Sequence, residues 1–196
     1  MGVAVLAPPL AIVQARIGST RLPGKMLLDL GGRPLVWWAW SAAVKAFGPE
    51  HVVCAIPASA ENDELAAVLA TFPANVFRWD GDEADVLGRL SACASAYRWH
   101  PDAVIVRVTP DDWRKDPDAL RRVASGERLP VEVGGEGFLL GEIWEADAET
   151  EDPGEREHIT WAFWDQSTPS PPCPPGVWTI DTEADLTAAR KMAQGR

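Results

Sequence analysis

The sequence is short of positive charge. It carries 18 Lys and Arg against 29 Asp and Glu, a net charge of -11. A chain this acidic repels the phosphates it would have to neutralise on nucleic acid or on an anionic membrane, so neither is expected as a partner. Cysteine is scarce as well, with three residues at 54, 93 and 173. No two have the spacing of a metal knuckle or a redox pair. Cys54 and Cys93 lie in apolar segments and read as packing, not as nucleophiles. An odd cysteine count without visible pairing fits a reducing, cytoplasmic location. No apolar run reaches the roughly 18 residues that suggest a membrane span. No positively charged start precedes a long apolar run, so no signal peptide is expected. Internal repeats are absent too.

What is present fits one folded domain over residues 1–196. A chain of that size hides roughly 70% of its unfolded surface. Ten tryptophans, among them Trp37, Trp38, Trp40, Trp161 and Trp164, point to core and interface packing.

The order of elements carries the fold class. Residues 10–15 (LAIVQA) read as a buried strand, followed by a polar, glycine-containing loop over 16–25. Pro34 opens a helical pattern that Gly48-Pro49 stops after Phe47. A second β-branched run spans 51–56, and residues 59–62 provide caps for a helix over about 61–71. A short strand near 75–77 precedes residues 83–99, where Val86, Leu90 and Ala94 fall on one helical face. Residues 103–108 (AVIVRV) are the strongest strand. Apolar strands alternating with helices predict a mostly parallel sheet covered on both faces, a Rossmann-like α/β three-layer sandwich. Ligands of such sheets bind beyond the carboxyl ends of the strands, where the loops 16–25 and 109–116 emerge. The second half is less regular. It predicts a short strand at 130–133, a helix over 153–165, an extended Pro-rich connector at 167–175, and a last strand at 177–180 running into a helix capped near Thr182.

The clearest chemistry lies in AIVQARIGSTRLPGKML, residues 11–27. Gly18 and Gly24 let the backbone turn tightly and bring amide N–H groups to a ligand. Arg16 and Arg21 suit bidentate contacts to phosphate oxygens. Lys25 supplies a compact charge where negative charge accumulates during phosphoryl transfer. This is not a Walker A loop, because five residues separate Gly18 from Gly24 and Met26 follows Lys25. Asp111 and Asp181 each end a predicted strand. Carboxylates at strand ends suit a magnesium ion, which takes one or two of them plus phosphate oxygens and water. Each also stands where a helix N-cap could stand, a role open to Asp112 or Asp116 as well.

The segment QARIGSTRLPGKMLLDLGGRPLV resembles the opening of the spore-coat polysaccharide biosynthesis protein F family, relatives of the CMP-ketodeoxyoctonate and CMP-sialate synthetases. The resemblance continues in family order through FRWDGDEADVLGRL, VIVRVTPDDWRKDP, EREHIT and WTIDTEADL. It implies a nucleotidyltransferase that moves CMP from CTP to a small acidic acceptor (a sugar acid, a sugar or a phosphonate) and releases pyrophosphate. It implies nucleotide contacts from Ala15, Arg16, Gly18, Ser19, Thr20, Arg21, Lys25 and Arg107, with Lys25, Arg16 and Arg21 acting in catalysis. It implies Mg2+ on Asp111 and Asp181, and acceptor contacts from Arg89, Glu132 and His158. Relatives commonly dimerise, which makes the Trp-rich stretch 161–164 a candidate face for a homodimer.

Two departures stand out. Pro110 replaces the family's Gly before Asp111, and Asp112-Trp113-Arg114-Lys115 replaces an apolar stretch. The region 117–131 is also short, which bears on the acceptor pocket. A nucleotide-binding scaffold without turnover, and a transferase using another NTP, are the alternatives left open.

Overall fold

A computed structural model describes residues 10–97, 100–159, 163, 171–176 and 178–194. Five strands form one sheet: β1 (Leu10–Gln14), β4 (Val52–Pro57), β5 (Asn75–Trp79), β6 (Val104–Val108) and β7 (Glu136–Leu139). Their order is β5-β4-β1-β6-β7. The first four run parallel, and β7 lies antiparallel on β6. A hairpin of β2 (Asp29–Leu30) and β3 (Arg33–Pro34) stands apart from this sheet. The helices are α1 (Leu35–Phe47), α2 (Asp63–Leu69), α3 (Val86–Ala96), α4 (Pro117–Ala124), α5 (Val131–Gly134), α6 (Leu140–Glu149), α7 (Pro153–Glu157) and α8 (Glu183–Ala193).

The sequence explains the layering. Every residue of β1 and β4 is buried, as strands covered on both faces require. Alternation sends Ala11 and Val13 to one core and Leu10 and Ile12 to the other. The first core takes Leu35, Val36 and Ala39 of α1, Leu120 of α4 and Leu186 of α8. The second takes Leu87 and Leu90 of α3 and Ile143 of α6. Helices therefore cover both faces, the expected Rossmann-like α/β sandwich.

Trp40 is buried against Phe72, and Trp38 meets Trp113 edge-on while its Nε1 donates to the Leu30 carbonyl at 3.0 Å. These tryptophans are packing residues. Trp161 and Trp164, with the proposed dimer face, lie outside the described residues. Among the described residues, no helix is long and apolar enough to cross a membrane.

The second half departs from expectation. Residues 130–133 are not a strand: Pro130 stands at the N-cap of the short helix α5. The strand comes later, at β7, where Glu136 and Phe138 alternate inward. Of the expected strand at 177–180, residue 177 lies outside the described residues, and 178–180 do not join the sheet. Thr179 instead makes an isolated antiparallel bridge with Asp112, in the loop after β6. The helix expected over 153–165 is described as α7, with Pro at its first turn and the Asp152 carboxylate capping its amides. Most of the remainder, 160–162 and 164–165, lies outside the described residues, as do 167–170 of the expected Pro-rich connector. Helices α4 and α6 were not foreseen.

Candidate active site

The loops after β1 and β6 leave adjacent strands at their carboxyl ends. They enclose a pocket of about 370 Å3 whose walls include Arg16, Gly18, Ser19, Thr20, Arg21 and Lys25 from the first loop. Thr109, Pro110 and Asp111 line it from the second, Gln14 and Arg107 from the strands below, and Val86, Arg89, Glu157 and His158 from α3 and the end of α7. Five cations thus converge in an acidic protein.

The first loop is held by short-range chemistry. Gly24 has φ +68°, the left-handed conformation that favours glycine, directly before the 3-10 turn at Lys25–Leu27. Gly18 is not in that region. What it supplies is space, because a Cβ there would lie 2.6 Å from Glu83 Oε1. The Leu22 amide donates to Ser19 Oγ at 3.3 Å. Asn62, fully buried, reaches across to accept from the Ile17 amide at 2.9 Å while donating to Ser59 Oγ. It holds the N-cap position of α2, but its side chain serves the phosphate loop and not that helix.

Lys25 brings the distant carboxylates together. Its Nζ donates to Asp181 Oδ1 at 2.9 Å, to Asp111 Oδ2 at 3.2 Å and to the Ile180 carbonyl at 3.0 Å. Arg21 pairs with the other oxygen of Asp181 at 3.0 Å. Neither aspartate caps a helix. Asp116 caps α4, and Thr182 caps α8 in a reciprocal box with Asp185. The carboxylates of Asp111 and Asp181 therefore face the cations of the loop after β1 and not helix amides.

The donor set suits a divalent cation whose remaining ligands come from outside the protein. Among the described residues, no cluster of three or more acidic, histidine or cysteine side chains forms a dedicated metal cage. Two partly exposed carboxylates beside a cationic loop match the way Mg2+ is usually held, with phosphate oxygens and waters completing its shell.

Beneath the pocket runs a chain of hydrogen bonds. Glu136, 1% exposed, faces Arg107 across the β6–β7 pair and accepts from its Nη1. Arg107 Nε donates to Gln14 Oε1 at 2.8 Å, and Gln14 Nε2 donates to the Val86 carbonyl at 3.0 Å. Arg89 is buried too, at 2% exposure. Its Nη1 donates to the Glu83 carbonyl, while its Nε has no hydrogen-bond partner among the described residues. Burial, with Arg16 and Arg107 nearby, pushes its pKa down to about 10, so it stays cationic at neutral pH. A buried guanidinium with an unmet donor at a pocket wall is suited to an anion. Arg16 makes only long, half-exposed contacts, 3.4 Å to Glu157 and 3.9 Å to Glu83, and such pairs hold a side chain weakly.

Arg156 ties the pocket's far wall together. It donates to both oxygens of Asp85, at 3.0 and 2.9 Å, to Asp147, and to the carbonyls of Asp147 and Thr150. Asp85 in turn caps α3 at the Gly88 amide, which fixes the start of the helix that carries Arg89.

Most expected residues meet here. The structure brings Arg16, Gly18, Ser19, Thr20, Arg21, Lys25, Arg89, Arg107, Asp111 and His158 to one pocket, with Asp181 joined through Lys25. Three do not line it, Asp181 among them. Ala15 is buried behind the loop, where its amide donates to the Ala55 carbonyl. Glu132 sits in α5, and the buried acid beneath the pocket, bonded to Arg107, is Glu136. Gln14, Asn62, Glu136 and Arg156 were missed. The thiols of Cys54 and Cys93 are buried and their pKa values pushed up, Cys54 to about 12, consistent with packing.

Fold and site together define an α/β sandwich protein with a cationic loop and a carboxylate pair at the carboxyl end of its sheet. A family model described as cytidylyltransferase matches residues 10–114, more than half of the chain, and the chain belongs to that family. It is similar to the 3-deoxy-manno-octulosonate cytidylyltransferase of Colwellia psychrerythraea, with 34% identity over 114 residues. That match covers 58% of this chain but only 39% of the relative's length. A solved cytidylyltransferase from Leptospira borgpetersenii is 25% identical with a TM-score of 0.70, covering 79% of this chain and 69% of that one. The structure of CMP:2-keto-3-deoxy-manno-octonic acid synthetase complexed with CTP shares the fold, with a TM-score of 0.73, 16% identity, and 97% and 100% of the two chains covered.

Proposed function

We propose that the protein transfers CMP from CTP to a small acidic acceptor, a sugar acid, a sugar or a phosphonate, and releases pyrophosphate. One observation carries this reading: Lys25, on the phosphate loop, lies within hydrogen-bond distance of both Asp111 and Asp181. A loop made for phosphates and a carboxylate pair made for a cation share one position. The kinship with sugar-acid cytidylyltransferases supports CTP and a sugar-acid type of acceptor.

The residues take roles from their places. Arg16, half-exposed and loosely paired, and Arg21, exposed and paired with Asp181, grip the triphosphate oxygens. Ser19, Thr20 and the amides of the turn around Gly18 and Gly24 complete the cradle. Arg107, its orientation fixed by Gln14 and Glu136, faces the nucleotide from the floor. Arg89 and His158, on the opposite wall, face the acceptor. The acceptor oxygen attacks the α-phosphorus, the bond to the β-phosphate oxygen breaks, and the acceptor's proton is released. Lys25 stabilises charge that develops on the phosphoryl oxygens, and positioning supplies most of the rate. Magnesium held by Asp111 and Asp181 would supply charge neutralisation at the α-phosphate.

A pyrophosphate-release assay with each of the four NTPs, Mg2+ and a panel of acidic acceptors tests the proposal. Release with CTP and one acceptor class is expected. CTP binding without release on any acceptor would make the protein a nucleotide-binding module. Release with another NTP in preference to CTP would overturn the base assignment.

A further inference from the structure

Beside Asp111 lies a second charged pair that does not line the candidate pocket. Asp112 is 5% exposed and Lys115 is 6% exposed. Lys115 Nζ donates to Asp112 Oδ2 at 2.9 Å, to Thr109 Oγ1 at 3.3 Å and to the Val131 carbonyl. Asp112 Oδ1 accepts from Thr179 Oγ1 at 2.6 Å, and its Oδ2 also accepts from Thr109 Oγ1. Removing two charges from water costs several kcal/mol per ion, so a buried pair of this kind is poor evidence for stability. Its use is better sought in the arrangement that it fixes.

That arrangement concerns the two aspartates of the site. Asp112 follows Asp111 directly, and Thr179 precedes Asp181 by two residues. Their segments run antiparallel, joined by the Asp112–Thr179 bridge, whose two backbone hydrogen bonds run from the Ile180 amide to the Asp111 carbonyl at 2.9 Å and from the Trp113 amide to the Trp178 carbonyl at 3.1 Å. Among the described residues, 178–180 form no ladder on the main sheet. The side-chain bond from Thr179 to Asp112 adds a third link to these two and ties the segment to the buried ion pair. Lys115 anchors the same carboxylate to the first residue of α5, Val131.

We infer that Asp112, Lys115 and Thr179 are positioning residues that hold the Asp181 segment against Asp111, fixing the separation at which the two carboxylates share one divalent cation. This rests on the role proposed above for Asp111 and Asp181. It also gives a physical reason for the polar stretch Asp112–Lys115. Where a chain relies on a loop-to-segment clip to align its carboxylates, an apolar side chain at 112 leaves Thr179 with nothing to bond.

The test is Mn2+ binding in the presence of a non-hydrolysable CTP analogue, read as free Mn2+ by electron paramagnetic resonance, with CTP-analogue affinity and melting temperature measured beside it. Thr179→Val is nearly isosteric and deletes one hydrogen bond while leaving the ion pair. It is expected to weaken Mn2+ binding about tenfold, with nucleotide affinity measured without metal unchanged, and Thr179→Ser is expected to restore it. Asp112→Asn and Lys115→Met are expected to weaken it further. Should either of these fail to fold, Thr179→Val and its serine rescue decide alone. Wild-type Mn2+ affinity in Thr179→Val, or a loss in melting temperature with no change in metal affinity, overturns the inference while leaving the function intact. A wild-type protein that binds the analogue but no Mn2+ overturns the roles of Asp111 and Asp181, and this inference with them.

Discussion

Lys25 and Asp181 stand 156 positions apart in the chain, yet the lysine ammonium lies 2.9 Å from the aspartate carboxylate. The same ammonium bonds Asp111, and Arg21 takes the second oxygen of Asp181. Loop cations thus hold three of the pair's four carboxylate oxygens. Lys25 occupies the position that a cation bridging the carboxylates would need. A triphosphate drawing Lys25 and Arg21 toward itself would uncover the carboxylates as it arrives, which links metal entry to nucleotide entry.

Lys25→Met should therefore move two measurements in opposite directions. Pyrophosphate release should fall by at least about a hundredfold, the scale of losing one preorganised charge at a developing oxyanion. Mn2+ binding to the nucleotide-free protein should become several-fold tighter, since the two carboxylates lose their internal counter-ion. Weaker Mn2+ binding in the variant would show that the lysine does not compete for the pair.

Asp111→Asn keeps the side chain's shape and removes its charge. Turnover is expected to fall by orders of magnitude while the melting temperature stays within a few degrees, because Asp111 is neither a helix cap nor a core residue. Unchanged turnover across a Mg2+ titration would remove Asp111 from the metal role.

Arg156→Met tests the clamp on the far wall. Its guanidinium joins Asp85, Asp147 and the Thr150 carbonyl, with a side chain only 20% exposed. Hydrogen bonds to charged groups contribute about 1.5–3 kcal/mol each when partners are left unpaired, so a loss of about 2–3 kcal/mol is expected. A shift in the urea midpoint at unchanged slope measures it. A loss below about 0.5 kcal/mol would mean that solvent replaces these contacts readily.

Acid should expose the Asp112 clip. Burial alone would raise this carboxyl, but the Lys115 ammonium and the hydroxyls of Thr109 and Thr179 outweigh it and hold the pKa below the ordinary range. A carboxyl whose folded pKa is depressed contributes stability that is complete above its unfolded pKa, near 4, and is lost as pH falls through the folded value. Wild type should therefore lose stability more steeply than Asp112→Asn as pH drops below about 4. Urea midpoints measured at successive pH values compare the two, and parallel curves would remove Asp112 as a source of that slope.

The parts of the fold readable from sequence were those whose signal is local. Strand β1 and the loop after it announce themselves because a buried apolar run is followed at once by Arg16, Gly18, Arg21 and Lys25. Strands β4 and β6 are read for the same reason, as continuous β-branched runs covered on both faces. The resemblance to CMP-sugar-acid synthetases placed Asp111 and Asp181 in one site, which no spacing argument reaches across 70 residues. Where tertiary contacts decide, local signals misled. Asn62 looks like a helix cap, yet a loop 45 positions away claims its side chain. Residues 130–133 have strand-like composition, but Pro130 and the need to bring Glu136 opposite Arg107 make them a short helix and shift the strand onward. The buried acid that orients Arg107, Glu136, was accordingly missed. A lone glutamate on the inward side of an apolar strand was the available clue, since a buried carboxylate demands a cationic partner.

The isolated bridge between Asp112 and Thr179 has a last consequence. Segments held by few backbone bonds open at lower free energy than the strands of a central sheet. The stretch that delivers Asp181 is fastened to the loop after β6 by the two backbone hydrogen bonds of that bridge and one hydroxyl, and to the loop after β1 through Lys25 and Arg21, so it is expected to detach while the five-stranded sheet stays folded. In rising urea, catalysis should fade before ellipticity does. Inactivation would then be a partial, reversible event at one margin of the molecule, separate from its global denaturation.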